Sequence, residues 1–187
     1  MTFNPNSDLD TEKPWVHGLT IGQVLRETAK KYPSQDAVVF CDSGVRLSWS
    51  AFDAEVDRVA RSLLALGLKR GDHFGVWATN VPEWVTLQFA TARIGVVLVT
   101  INPSYRTNEL AHAVGQSELC GLASIDKFKS TDYFASLQEA IPELANHGPG
   151  MLQSSQFPKL KWVITLRGKS PEGTVSWRDF LSQAESV

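Results

Sequence analysis

Residues 74–105, FGVWATNVPEWVTLQFATARIGVVLVTINPSY, read as strand, helix, strand. Phe74–Ala78 is a short apolar run suited to burial. Asn80 stands where a helix cap belongs, with Pro82 in the first turn and Glu83 three residues after the Asn, as in a capping box. Trp84, Leu87 or Gln88, Thr91 and Ile94 recur at helical spacing, while Ala90 and Ala92 permit close approach to a neighbour. Gly95 ends the helix. Val96–Ile101 is a continuous run rich in β-branched residues, the composition of a strand covered on both faces. The helix between is long enough for a right-handed crossover joining parallel strands. In open sheets of this kind ligands bind beyond the carboxyl ends of the strands. Two turns therefore draw attention: Thr79–Pro82 and Asn102–Tyr105.

The pattern continues outward in both directions. Upstream, residues 1–18 read as an irregular lead-in with Trp15 as an anchor onto the body, which occupies 19–187. Thr20 with Gln23 caps a helix that Pro33 stops. Asp36–Cys41 and Val45–Trp49 form a hairpin whose turn, Asp42-Ser43-Gly44, places Gly44 at positive φ. Ser50 with Asp53 caps a helix carrying Phe52, Val56, Val59, Leu63 and Leu66, closed by Gly67. Downstream, Thr107 caps a helix with Leu110, Ala111 and Val114, and Leu119–Ile125 is another buried strand. Asp132 caps a helix that Pro142 kinks or restarts. From Asn146 to Pro158 the composition shifts to Gly, Pro, Ser and Gln, which reads as an exposed connection. Leu160–Leu166 is a further strand and Ser176–Ala184 a capped helix. Strands alternating with helices specify an α/β, mainly parallel, doubly wound sheet with helices on both faces, plus a β-hairpin near the N-terminus.

A chain of 187 residues buries roughly 70% of its unfolded surface and needs no covalent staple. With 18 basic and 20 acidic residues it carries no basic stripe, so nucleic acid is not an expected partner. Its longest apolar runs are too short to span a membrane. The two cysteines, Cys41 and Cys120, each lie in an apolar run and read as buried, reduced thiols. The polar, acidic start resembles neither a secretory signal nor a transit peptide, and a cytoplasmic location is the expectation.

Residues able to carry chemistry are few. Gly148-Pro149-Gly150 lacks the third glycine and the strand of a dinucleotide fingerprint, and no phosphate-loop Gly-x-x-x-x-Gly-Lys occurs. His17, His73, His112 and His147 have no metal-ligand spacing. The six tryptophans fall in different elements and read as core filling. Glu83 could serve as a catalytic carboxylate, but a first-turn acid in a capping box explains it fully. The expected catalytic and metal residues are none.

The wording of successive elements resembles the N-terminal part of an adenylate-forming (AMP-binding) enzyme, the superfamily of acyl-CoA synthetases, luciferases and adenylation domains. Leu47-Ser48-Trp49-Ser50-Ala51-Phe52 is similar to its early Leu-Thr/Ser-Tyr-x-Glu/Gln-Leu motif, with Trp for Tyr and Ala-Phe for Glu-Leu. Gly71-Asp72-His73-Phe74-Gly75-Val76 resembles the Gly-Asp-x-Val-x-Val entry to a strand, and Asn80-Val81-Pro82-Glu83-Trp84 the Asn-x-x-Glu opening of a helix. Ala92–Val97 with Asn102-Pro103 resembles the Gly-x-x-x-x-x-x-Asn-Pro segment. The similarity runs from about Leu19 to Leu181 and is nearest the medium- and long-chain fatty acyl-CoA synthetases.

The resemblance implies a two-step reaction for a parent enzyme: a fatty acid and Mg·ATP give acyl-AMP, and CoA then takes the acyl group. It also implies that Asn102, Pro103, Ser104 and Tyr105 border the tunnel for the pantetheine arm of CoA. The family's Ser/Thr/Gly-rich phosphate loop ending in Pro-Lys, its magnesium-holding Thr-Glu and its catalytic lysine have no counterpart in these residues. The implied protein is an N-terminal piece of a synthetase, inactive alone, binding no cofactor itself, and leaving an apolar face for a second subdomain or for self-association. A stand-alone binding or assembly module with the same fold is the rival reading.

Overall fold

A computed structural model describes residues 18–186; the N-terminal lead-in with Trp15 lies outside them. Helix α1, Ile21–Lys31, opens with the expected capping box: Thr20 and Gln23 each bond the other's backbone N–H. Strands β1, Asp36–Phe40, and β2, Val45–Ser48, pair antiparallel, and Gly44 takes a φ of 67° in the turn. Helix α2, Trp49–Ala65, then runs to a C-terminal turn in which the N–H groups of Gly67 and Leu68 return to Leu64 O (2.9 Å) and Leu63 O (3.2 Å).

The sheet follows. Among the described residues β3, His73–Trp77; β4, Val97–Ile101; β5, Gly121–Ser124; β8, Trp162–Thr165; and β9, Val175–Ser176, form one parallel sheet ordered β4-β3-β5-β8-β9. The four strands read from sequence share it, and β9 is an addition too short to show a period. Helix α3, Pro82–Ile94, carries the chain from β3 outward to β4. Helix α4, Thr107–Gln116, returns it past β3 to β5. Right-handed crossovers in opposite directions put their helices on opposite faces. The packing agrees: α3 lies with α1 and α2, and α4 lies with α5, Tyr133–Ala140. Helix α6, Trp177–Ser182, joins the α2 side. A two-residue ribbon, β6 (Lys127–Phe128) and β7 (Thr131–Asp132), leads into α5, with Asp132 as its cap.

Several local expectations are corrected. The strand at Val97–Ile101 is the sheet's edge, so it pairs with β3 alone and Val97 stays 46% exposed instead of covered on both faces. Helix α3 begins at Pro82 after an extended Val81 (φ −123°, ψ 151°), and Asn80 makes no cap. A residue before proline is pushed out of the helical region, so the helix cannot start earlier. Ser48, not Ser50, caps α2 by accepting from Ala51 N (3.3 Å), while Ser50 Oγ donates to Pro33 O. Thr107 is the first helical residue of α4 and its hydroxyl donates to Glu139. Cys41 is exposed in the hairpin turn and Cys120 is half-buried; both are free thiols. The 146–158 connection buries Leu152 and Phe157 in the main core rather than lying wholly on the surface.

Candidate functional site

The carboxyl end of the sheet holds both turns singled out from the sequence. Strands β3 and β5 are neighbours whose outgoing connections pass to opposite faces, which is the switch point where such sheets form a crevice. A cavity of about 250 Å³ sits there, lined by Asn80 and Val81 after β3, Asp126 and Lys127 after β5, Asp42 of the hairpin turn, and Arg167 after β8. Arg167 Nη2 donates to Glu83 Oε2 at 3.2 Å, so the first-turn acid of α3 is held by a cation 84 residues away. A second cavity, about 300 Å³, lies toward the sheet edge between Asn80, Trp84, Thr100, Asn102 and Pro103. Asn80 therefore borders both hollows, and the two turns are adjacent walls of one end of the molecule. A wider hollow, about 610 Å³ between the hairpin, α2 and Trp177, is a shallow surface groove away from the strand ends.

The Asn102–Tyr105 turn is closed by its own polar groups. Asn102 Oδ1 accepts from Ser104 N (2.9 Å) and Asn102 O accepts from Tyr105 N (3.0 Å). Its four side chains are exposed. Beneath it lie two aromatic residues, one of them a tryptophan that the sequence reads as core filling. Trp77 is fully buried at the end of β3, and its Nε1 donates to Asn102 O at 3.1 Å. Tyr133, the first residue of α5, is also buried, and its hydroxyl donates to Pro103 O at 2.7 Å. The rings stand 4.3 Å apart, tilted by 41°. Burial pushes the Tyr133 phenol above its ordinary value, against an opposing pull from Arg106, so the hydroxyl remains a donor through neutral pH. Arg106 itself reaches Thr131 of the ribbon (3.1 Å). A strand-terminal Trp and a helix-opening Tyr carry no motif that marks them, because their acceptors are 25 and 30 residues distant.

The opposite end of the sheet carries a different cluster. Glu118 and Lys159 pair at 2.9 Å; the hydrogen bond and charge of Lys159 lower the carboxyl, and those of Glu118 raise the ammonium. Burial and, next, Asp72 push the Cys120 thiol up, away from the reactive thiolate. Among the described residues no group of three or more His, Cys, Asp or Glu stands together as metal ligands.

An open parallel sheet with a switch-point crevice and an Asn-Pro turn beside it defines an α/β domain of the doubly wound class. Residues 25–177 match the family model for AMP-binding enzymes, and the chain belongs to that family. It is 39% identical over 168 residues, 90% of its length, to YngI of Bacillus subtilis, whose name describes an acyl-CoA synthetase. It is 36% identical over 191 residues, 98% of its length, to the mitochondrial medium-chain acyl-CoA ligase ACSF2 of Danio rerio. The chain spans 31% of the length of each of these curated relatives. A solved structure described as a long-chain-fatty-acid CoA ligase from Rhodopseudomonas palustris shares the fold, with a TM-score of 0.72 at 23% identity over 88% of this chain and 36% of that one.

Proposed function

We propose that this chain is the N-terminal portion of a fatty acyl-CoA synthetase, an enzyme that converts a fatty acid and ATP to acyl-AMP and pyrophosphate and then transfers the acyl group to CoA. The observation that carries the reading is the family match across residues 25–177 together with the two acyl-CoA ligase relatives. In the parent enzyme ATP is held through a Ser/Thr/Gly-rich phosphate loop, a segment that these 187 residues do not include. The chain's own contribution is the exposed turn Asn102, Pro103, Ser104 and Tyr105 as one wall of the passage for the pantetheine arm of CoA. The adjoining hollow by Asn80 and Trp84 supports this placement.

The partners are accordingly a fatty acid, CoA and a second subdomain of the same enzyme. No helix of the described residues is long and apolar enough to cross a membrane. Exposed apolar side chains, Val97 of the edge strand among them, favour self-association of the isolated chain. Its two free thiols suit a reducing, cytoplasmic compartment, which cell fractionation tests. The functional test is the reading frame downstream of Val187. A frame encoding a Ser/Thr/Gly-rich loop and Pro-Lys, whose product makes acyl-CoA, supports the synthetase. A genuine stop there, with binding but no turnover, supports an assembly module instead.

A further inference from the structure

Two buried donors end on consecutive carbonyls of one exposed turn, and that arrangement asks for a reason. A buried indole N–H and phenol O–H each need an acceptor, but many carbonyls lie at strand ends. Trp77 and Tyr133 instead take Asn102 O and Pro103 O, at 3.1 and 2.7 Å. The turn has no side chain in the core, since Asn102, Pro103, Ser104 and Tyr105 are all exposed. Its internal bonds, Asn102 Oδ1 to Ser104 N and Asn102 O to Tyr105 N, fix its shape but not its place on the sheet. Its place comes from below. Trp77 is anchored in β3, opposite Ile101 on one side and Ser124 on the other. Tyr133 is anchored by its own N–H to Asp126 O (2.9 Å), and the two rings brace each other.

We propose that Trp77 and Tyr133 are positioning residues for CoA: they clamp the Asn102-Pro103 carbonyls so that the turn's outer side presents one fixed wall to the pantetheine arm. This rests on reading the turn as that wall. On that reading the clamp acts on the second half-reaction, the step that CoA enters. Rigid walls raise affinity by removing the ordering cost at the moment of binding.

The test uses the complete synthetase bearing Tyr133→Phe, which keeps the ring and removes only the donor, with Trp77→Phe as a second variant. Ser104→Trp, which obstructs the turn's outer side directly, is the control for the wall itself. Two rates are read: fatty-acid-dependent ATP–pyrophosphate exchange without CoA, and thioester formation as a function of CoA. Tyr133→Phe is expected to raise KM for CoA by about three- to ten-fold, the size of one net hydrogen bond, with exchange unchanged within about two-fold. Equal losses in both rates would reduce the pair to packing and overturn the proposal. A CoA defect in Ser104→Trp alone would keep the wall and discard the clamp. No CoA defect in any of the three variants would discard the wall and the clamp together.

Discussion

Arg93 holds three helices together at a single residue. Its side chain is 9% exposed, and its guanidinium pairs with Asp53 and, at 3.5 Å, with Asp57 of α2. A Cβ added to Gly22 of α1 would stand 3.2 Å from the Arg93 Cα, so α1 and α3 touch backbone to backbone there. Removing one partner of a nearly buried pair leaves the other charge poorly compensated. The acids here are partly exposed, so Arg93→Ala should cost about 1–3 kcal/mol, read as a lower urea midpoint with unchanged slope. Tyr133 supplies a pH-dependent contribution of known sign. Burial raises its phenol above 10.0, so the folded state holds that proton more tightly than the unfolded chain. The stability this adds is complete below the unfolded value and is lost as pH rises through the folded one. Tyr133→Phe should therefore flatten the alkaline fall of the stability profile while leaving its shape below pH 9 unchanged (pH in rough terms, about one unit below the free phenol). A variant with the same alkaline fall as the parent chain would show that other groups control it.

At the scale of elements, the alternation of short apolar runs with capped helices is readable because each helix must bury one stripe and each central strand both faces. That carried the sheet, its parallel sense and the hairpin. The exact starts of helices were less legible, since several residues nearby are competent caps and distant groups choose among them. Both Ser48 and Ser50 can cap α2. The choice falls to Ser48 because the N–H groups of Trp49 and Ser50 are taken by Gln35 O (2.9 Å) and Pro33 O (3.1 Å), which draws Trp49 into the helix. Ser48→Ala should accordingly cost about 1 kcal/mol in thermal or urea unfolding, and Ser50→Ala about half that. The reverse order would restore Ser50 as the effective cap. The start of α3 was legible in principle, because Pro82 forces Val81 to be extended and excludes Asn80. The burial of Leu152 and Phe157 was not: each is an isolated apolar residue among Gly, Pro, Ser and Gln, with no period to say which way it points. At the candidate site the turn itself was readable from its Asn-Pro pair, whereas Trp77, Tyr133 and Arg167 meet it or its neighbour only through the fold.

Taken whole, the described residues form a sheet whose carboxyl end offers a crevice at the switch point, an Asn-Pro turn beside it and cations at Lys127 and Arg167. Adenylation requires donors and cations placed around the α-phosphate where charge develops, and losing even one such donor can cost about 100- to 1000-fold in rate. Here the phosphate loop, the magnesium-holding acid and the catalytic lysine all lack counterparts in the sequence. The purified 187-residue chain should therefore release no pyrophosphate from ATP with any fatty acid, at any CoA concentration. The assay is fatty-acid-dependent pyrophosphate release against a full-length synthetase as positive control. Contamination is separated from intrinsic turnover by a mock purification from cells that lack the chain. Turnover above that of the mock preparation would mean that these residues carry chemistry by themselves. Turnover equal to it belongs to a contaminant, and none at all is the expected result.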